Sequence, residues 1–182
     1  TTDSLVSDAL VACYYELNEK VSYANGKLSW TPVIGAQYYE IQVNDGEIVR
    51  VEGGAYSALV TLNKKGENLV KVRFVDGKNV SDWATTTVTA HRVIFDTLGG
   101  EPVDNQFKAV GDPITLPTTE KAGYNFVAWF YMDGNVEKAF DFANMRVTKD
   151  MQVYGKWSSN VLKQYYVYFK IQGTDTEIAD SI

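Results

Sequence analysis

The sequence has very little of the residue types on which most metal and thiol sites depend. Its 182 residues include one cysteine, Cys13, and one histidine, His91. A single cysteine cannot close an intrachain disulfide, so we expect Cys13 to be a buried apolar side chain rather than a reactive thiol. One Cys and one His cannot supply the three or four ligands of a usual zinc site. The sequence therefore predicts no metal and no cofactor.

Positive charge and long apolar runs are also scarce. Lys and Arg number 17 against 23 Asp and Glu, which gives a net charge of -6. A nucleic-acid partner is not expected, because phosphate-binding surfaces concentrate Lys and Arg. No apolar run approaches the roughly 20 residues of a spanning helix, so no membrane insertion is predicted in this segment. The first residues lack the layout of an export signal, and both ends are interpreted as processing boundaries.

Catalytic patterns are missing as well. His91 is the only imidazole, and no nucleophile motif such as GxSxG accompanies it. Asp96, Asp104, Asp141 and Asp150 could in principle pair as glycosidase carboxylates, but their spacing singles out no pair, and turn or surface roles are favoured. We therefore expect a protein that is not an enzyme.

Aromatic residues, by contrast, are abundant, with 12 Tyr, 8 Phe and 4 Trp. They favour half-buried strands, and strand patterns separated by turn dipeptides recur along the chain. In YYEIQVN, alternate residues from Tyr39 to Val43 share one face, and Asp45-Gly46 is predicted to supply the positive φ angles of a hairpin. Val70, Val72 and Phe74 alternate in the same way. The predicted fold class is mainly β.

The first half carries one family resemblance. LSWTPVIGAQYYEIQVNDG resembles the B and C strands of a fibronectin type III domain, with Trp30 as its core tryptophan and Tyr39 as its inward C-strand aromatic. LVKVRFVDG and SDWATTTV resemble the F strand and the entry to the G strand. Leu69 and Val70 stand where that family usually has a corner tyrosine. The resemblance implies a β-sandwich over residues 17–91.

The second half carries a more distinctive resemblance. Residues 92–157 closely resemble the Listeria-Bacteroides repeat of internalin B-repeat regions, which implies a β-grasp-like sheet with at most one short helical turn. The matching residues share an order of rings and glycines: Phe95, Gly99, Gly100, Gly123, Tyr124, Phe126, Trp129, Phe140, Phe142, Tyr154 and Trp157. Leu98 departs from the pattern where the family often has Asn, and Ala128 where it often has Gly.

Elementary physics gives the same residues roles in a small domain. Gly99, Gly100 and Gly123 fall where strands must reverse, positions that favour glycine. Seven rings are predicted to form an aromatic core, each removing about 150 to 250 Å² from water: Phe95, Phe126, Trp129, Phe140, Phe142, Tyr154 and Trp157. Trp83 is the tryptophan that we expect to be most exposed, and it is a candidate ligand contact.

Each end of the chain fits two kinds of structure. Residues 1–16 end within LVACYYEL (residues 10–17), which fits either a short helix or a strand before the sandwich. Residues 158–182 contain a linker and VLKQYYVYFKI, which is either the first strand of a further module or a strand added to an existing sheet.

Together these features predict a non-catalytic module of a bacterial cell-surface or secreted protein. We expect it to be extracellular and monomeric, and to act as a spacer and adhesion module that contacts a host or neighbouring-cell protein or glycan. The alternative is a carbohydrate-binding accessory region of a larger secreted glycan-active enzyme. Both rest on resemblance, because a fold alone does not fix a function.

Overall fold

The computed structural model describes residues 21–160 and 172–173, and within them the chain forms twelve β-strands and no helix. The predicted mainly β fold is therefore confirmed. The expectations for Cys13, residues 1–16 and the strand in VLKQYYVYFKI lie outside the described residues. The strands are β1 (Ser22–Ala24), β2 (Lys27–Ser29), β3 (Tyr38–Val43), β4 (Val49–Glu52), β5 (Ser57–Leu59), β6 (Gly66–Asp76), β7 (Asn79–Val80), β8 (Ala84–Asp96), β9 (Gln106–Ala109), β10 (Tyr124–Asp133), β11 (Val136–Ala139) and β12 (Met151–Ser159).

The first half consists of two sheets that share one core. β1, β2 and β5 form a three-stranded antiparallel sheet. The facing sheet has the order β4-β3-β6-β8, also antiparallel, with β7 beside β6. Val70 and Val72 on β6 are fully buried between the sheets, as their alternation predicts. Trp30 and Tyr39 lie in this core with ring centroids 5.1 Å apart.

The β3–β4 hairpin differs from its prediction. The residue with positive φ is Asn44, at 52°, and neither Asp45 nor Gly46 takes that conformation. The reason is tertiary: the Asn44 side chain accepts a hydrogen bond from the Leu69 N–H at 2.9 Å and donates one to Asn68 Oδ1 at 3.1 Å. Asparagine tolerates left-handed angles, and here β6 holds it there.

Strand β8 continues through both halves of the chain. Its Ala84–Ala90 portion pairs with β6, and its Val93–Asp96 portion pairs in parallel with β12. β9 pairs with the middle of β8, from Ala90 to Val93, on the opposite edge. The boundary predicted between residues 91 and 92 therefore falls inside a single strand.

The second half is a mixed sheet in the order β11-β10-β12-β8, covered by loops instead of a second sheet. Its buried core is separate from the first and consists of Val93, Phe95, Ile114, Trp129, Phe140, Val147 and Val153. One of the predicted core rings, Phe126, is 36% exposed, and Tyr124, two residues before it, is 43% exposed. They lie in the first residues of β10, which pair only with the end of β12 and extend past the buried part of the sheet.

Candidate functional site

The single histidine lies at the seam between the two cores. His91 Nδ1 is 3.4 Å from Asp150 Oδ1, and Asp150 also accepts hydrogen bonds from Lys65 Nζ at 2.5 Å and the Arg92 N–H at 3.1 Å. The Lys65 hydrogen bond is the main cause that lowers the Asp150 pKa to about 2. Lys65 precedes β6 and Asp150 precedes β12, so this cluster joins the loops that lead into the two strands along one edge of β8.

A second polar cluster, which we call the Asp112 junction, fastens the two halves from the other side. Asp112 is fully buried and accepts hydrogen bonds from Tyr23 Oη at 2.6 Å, the Gly26 N–H at 2.7 Å and the Ala109 N–H at 2.8 Å. Burial, and then the carboxylate of Asp112, raise the pKa of the Tyr23 phenol. A buried carboxylate is stable only with such donors, so the contact fixes the β1–β2 turn against the second half.

Apolar contacts complete the seam. Phe107 on β9 forms an isolated antiparallel β-bridge with Leu62 of the first half, and its side chain packs against the first core. Ala109 is buried within that core. The segment from Phe107 to Asp112 thus belongs to the second half in sequence and packs against the first. Sequence reasoning missed this segment, because Asp112 follows a glycine and precedes a proline and so fits an ordinary turn.

Trp83, the predicted ligand contact, is half-buried on the outer face of the larger sheet. The Arg73 guanidinium lies 4.3 Å from the centroid of its ring. Arg73 donates to Glu40 Oε2 through Nε at 2.8 Å and through its terminal nitrogen at 2.6 Å. Arg50, 3.5 Å from the same carboxylate, lies over Tyr38. One face of Trp83 is therefore covered by the chain's own cation.

The second half presents rings at its surface instead. Phe95, Trp129, Phe126 and Trp157 form a continuous row with successive centroid distances of 5.3, 5.4 and 5.1 Å. The first two are buried, and the last two lie at the wall of a surface groove of about 590 Å³. We call this the aromatic groove; it is lined by Glu101, Thr119, Glu120, Lys121, Ala122, Tyr124, Asn125, Phe126 and Trp157.

Hydrogen bonds to backbone carbonyl groups hold the walls of the aromatic groove in place. The Trp157 indole N–H donates to the Thr97 carbonyl at 2.7 Å, and Lys121 Nζ donates to the Leu98 carbonyl at 2.8 Å. The Glu101 N–H donates to the Glu120 carbonyl at 2.8 Å. These bonds join loop 97–101 to β12 and to loop 119–122, so the groove is formed before any ligand arrives.

The groove requires glycine at position 100 for close packing, and not for the turn conformation that was predicted. Gly99 and Gly123 have positive φ angles of 88° and 77°, as expected for turns. Gly100 has no such angle, but a Cβ there would lie 2.4 Å from Trp157 Cζ2 and 2.8 Å from Thr119 Oγ1. The missing side chain is what lets Trp157 pack under the loop.

No group of three or more His, Cys, Asp or Glu side chains within residues 21–160 and 172–173 is placed to hold a metal ion. In the same part of the chain, no helix has the length and apolar character to cross a bilayer.

Comparison with known proteins gives an independent view of the second half. Residues 91–156 match the Listeria-Bacteroides repeat domain, which confirms the repeat predicted for residues 92–157. Two proteins of Evansella cellulosilytica are similar to part of the chain: a "Putative membrane protein", 33% identical over 97 residues, and a "Putative Gly-rich membrane protein", 34% identical over 112 residues. The alignments cover 53% and 58% of this chain but only 14% and 12% of those proteins. The part of the chain from the middle of β8 to β12, which carries the aromatic groove, is thus similar to a known repeat domain.

Proposed function

We propose that this chain is a non-catalytic double module of a bacterial surface-associated protein, extracellular in location, which acts as a stiff spacer and interaction unit. The observation that carries the proposal is the seam. The two cores share strand β8 without a linker, and the Asp112 junction and the Lys65–Asp150 pair brace it on either side. Most tandem domains are joined by exposed linkers that permit relative motion, so this construction favours a fixed orientation.

Surface association is supported by the comparisons. The second half matches a repeat domain, and both similar proteins are named as membrane proteins many times longer than this chain. The strand order of the first half supports the fibronectin type III resemblance, because β2 lies in one sheet and the strands that resemble C, F and G (β3, β6 and β8) are neighbours in the facing sheet.

The proposal that the chain is not an enzyme is supported by the surroundings of His91. Its charged neighbour is Asp150, which Lys65 and the Arg92 N–H already engage. Within the described residues no hydroxyl or thiol is hydrogen-bonded to His91, whereas nucleophilic catalysis needs that pairing.

The stiffness of the unit is tested by residual dipolar couplings measured on the backbone amides of the full chain. We expect one alignment tensor to fit both halves, because the shared strand and the Asp112 junction together prevent them from reorienting. Two independent tensors would contradict the spacer proposal. Surface location is tested separately by labelling intact cells that produce the parent protein with antibodies raised against this chain; labelling only after permeabilisation would argue against it.

The second candidate function is a carbohydrate-binding accessory region of a larger secreted glycan-active enzyme. The exposure of Tyr124 and Phe126 beside Trp157 favours it, because exposed rings are what sugar stacking needs. The two candidates differ in the parent protein: a catalytic glycosidase domain elsewhere in the reading frame favours the accessory region, and further repeats or a sorting signal favour the spacer.

A further inference from the structure

We propose that the aromatic groove binds an uncharged polysaccharide, with a sugar ring stacked on Tyr124 beside the partly exposed ring of Phe126. The inference rests on the proposed interaction function, since a pure spacer needs no ligand site. It goes further than both candidate functions by committing the aromatic groove to one ligand, an uncharged polymer.

The first argument is the position of the rings. Tyr124 and Phe126 are two residues apart on β10, so their side chains share one face of the strand. On that face Phe126 contacts Trp157, with ring centroids 5.1 Å apart. A small domain gains stability by burying its rings, yet these are 43% and 36% exposed. Flat, wet aromatic surface suits the apolar faces of sugar rings, which carry hydroxyl groups around their edges.

The second argument is that the rings are immobilised in advance. Lys121 Nζ covers one face of Tyr124, 4.6 Å from the ring centroid, while it donates to the Leu98 carbonyl, so a sugar ring would stack on the opposite face. Trp157 is held through its indole N–H. A ligand therefore meets a preformed surface and orders few side chains on binding, which reduces the entropy lost on association.

The third argument concerns the polar groups and decides the charge of the ligand. The side chains of Glu101, Glu120 and Asn125 line the groove, and in the described part of the chain none of them has a hydrogen-bond or ion-pair partner. Carboxylates and amides can hydrogen-bond hydroxyl groups. Lys121 is engaged by the Leu98 carbonyl and two rings, so two uncommitted carboxylates dominate the groove and repel an anionic glycan.

The fourth argument is shape. The groove holds about 590 Å³, within the range of ligand sites, and it is open to solvent instead of enclosed. An open groove admits internal stretches of a polymer, whereas a closed pocket would select chain ends. A polysaccharide is therefore a better fit than a free monosaccharide.

The experiment is affinity electrophoresis of the full chain through gels that contain hydroxyethylcellulose or galactomannan as neutral polymers and polygalacturonate as an anionic polymer. We expect retardation by at least one neutral polymer and none by polygalacturonate. Tyr124→Ala should weaken binding about tenfold or more, as expected for loss of a central aromatic contact. The matched control is Tyr56→Ala, which removes a tyrosine that is 67% exposed on the first half and outside the groove.

A second variant, Asn125→Ala, tests the same groove without removing a ring, and thermal unfolding of every variant checks that it is folded. No retardation of the wild type by either neutral polymer, or equal retardation of Tyr124→Ala and wild type, would overturn the proposal. Stronger binding to polygalacturonate than to the neutral polymers would also overturn it. A protein ligand mapped to this groove would overturn the polysaccharide class while leaving the interaction function intact. A third combination of results separates the two proposals. If no polymer binds, but one alignment tensor fits both halves and intact cells are labelled, the spacer function stands and the ligand site does not.

Discussion

The two cores of this chain differ in the sheets that enclose them and in the side chains that fill them. The first lies between two sheets and is filled mainly by aliphatic side chains such as Leu28, Val70 and Val72. The second has one sheet and loops on its other face, and it uses Phe95, Trp129 and Phe140. A single sheet cannot interdigitate with a partner sheet, so larger rings must fill the space beneath irregular loops. The difference teaches that the second half depends on fewer, larger contacts.

The largest effect is expected from removing the central ring of the second core. Trp129 is buried and contacts both Phe95 and Phe126, so Trp129→Ala should reduce the free energy of unfolding by about 3–5 kcal/mol. Denaturant unfolding followed by circular dichroism measures it. Val127→Ala, at a position 55% exposed, is the control and should change stability by less than about 0.5 kcal/mol. Equal costs for the two variants would break the comparison.

The next effect concerns the Asp112 junction, which ties the two cores together. Asp112→Ala leaves one buried and two partly buried donors without their acceptor, so we expect a loss of about 3 kcal/mol. The halves should also reorient, which the dipolar couplings would report as two tensors. If the variant keeps both its stability and a single tensor, strand β8 alone holds the seam.

A finer comparison sets one tryptophan of each core against the other. Trp30 is buried, and its indole N–H has no hydrogen-bond partner within the described residues, whereas that of Trp129 donates to the Pro117 carbonyl at 3.3 Å. Trp30→Phe removes an unsatisfied donor and should cost about 1–2 kcal/mol less than Trp129→Phe. Unfolding both variants in parallel measures the difference. A larger cost for Trp30→Phe than for Trp129→Phe would show that lost ring volume matters more than the indole hydrogen bond.

The pH dependence of stability tests the same seam by titration. The Tyr23 pKa is raised above its ordinary value of 10.0, mainly by burial and then by Asp112. Folding therefore favours the protonated phenol, so this contribution is complete below pH 10 and is lost as pH rises further. Tyr23→Phe should lose about 1 kcal/mol at neutral pH and show a weaker decline above pH 10 than the wild type. Parallel alkaline curves would refute the assignment.

The smallest effect should be a gain of stability in the second half. Leu98 has a φ of 49°, a left-handed conformation that leucine rarely adopts, and it is 49% exposed. Leu98→Asn should add about 0.5–1 kcal/mol to the free energy of unfolding, because asparagine tolerates this angle. The measurement is the denaturant midpoint, with Leu116→Asn, at another exposed leucine, as the control. A loss would mean that the Leu98 side chain contributes packing.

Sequence patterns predicted several particular features well. The alternation in β3 and β6 predicted their buried faces, and the order of rings and glycines predicted the repeat that the family match finds at residues 91–156. They failed at Asn44, whose positive φ depends on a side-chain contact with β6, and at Phe126, whose exposure depends on where the loops end. A local pattern records which face a residue takes, but not what lies opposite that face.

By itself the sequence determined the strands, their inward faces and the aromatic character of the second half, because periodicity and ring content act over a few residues. Tertiary structure alone decided that β8 runs through both cores, that Tyr23 meets Asp112 across 89 positions of sequence, and that Tyr124 and Phe126 remain at the surface. Such contacts form only when distant segments are brought together by chain topology, and the residues involved carry no local signature of their partners.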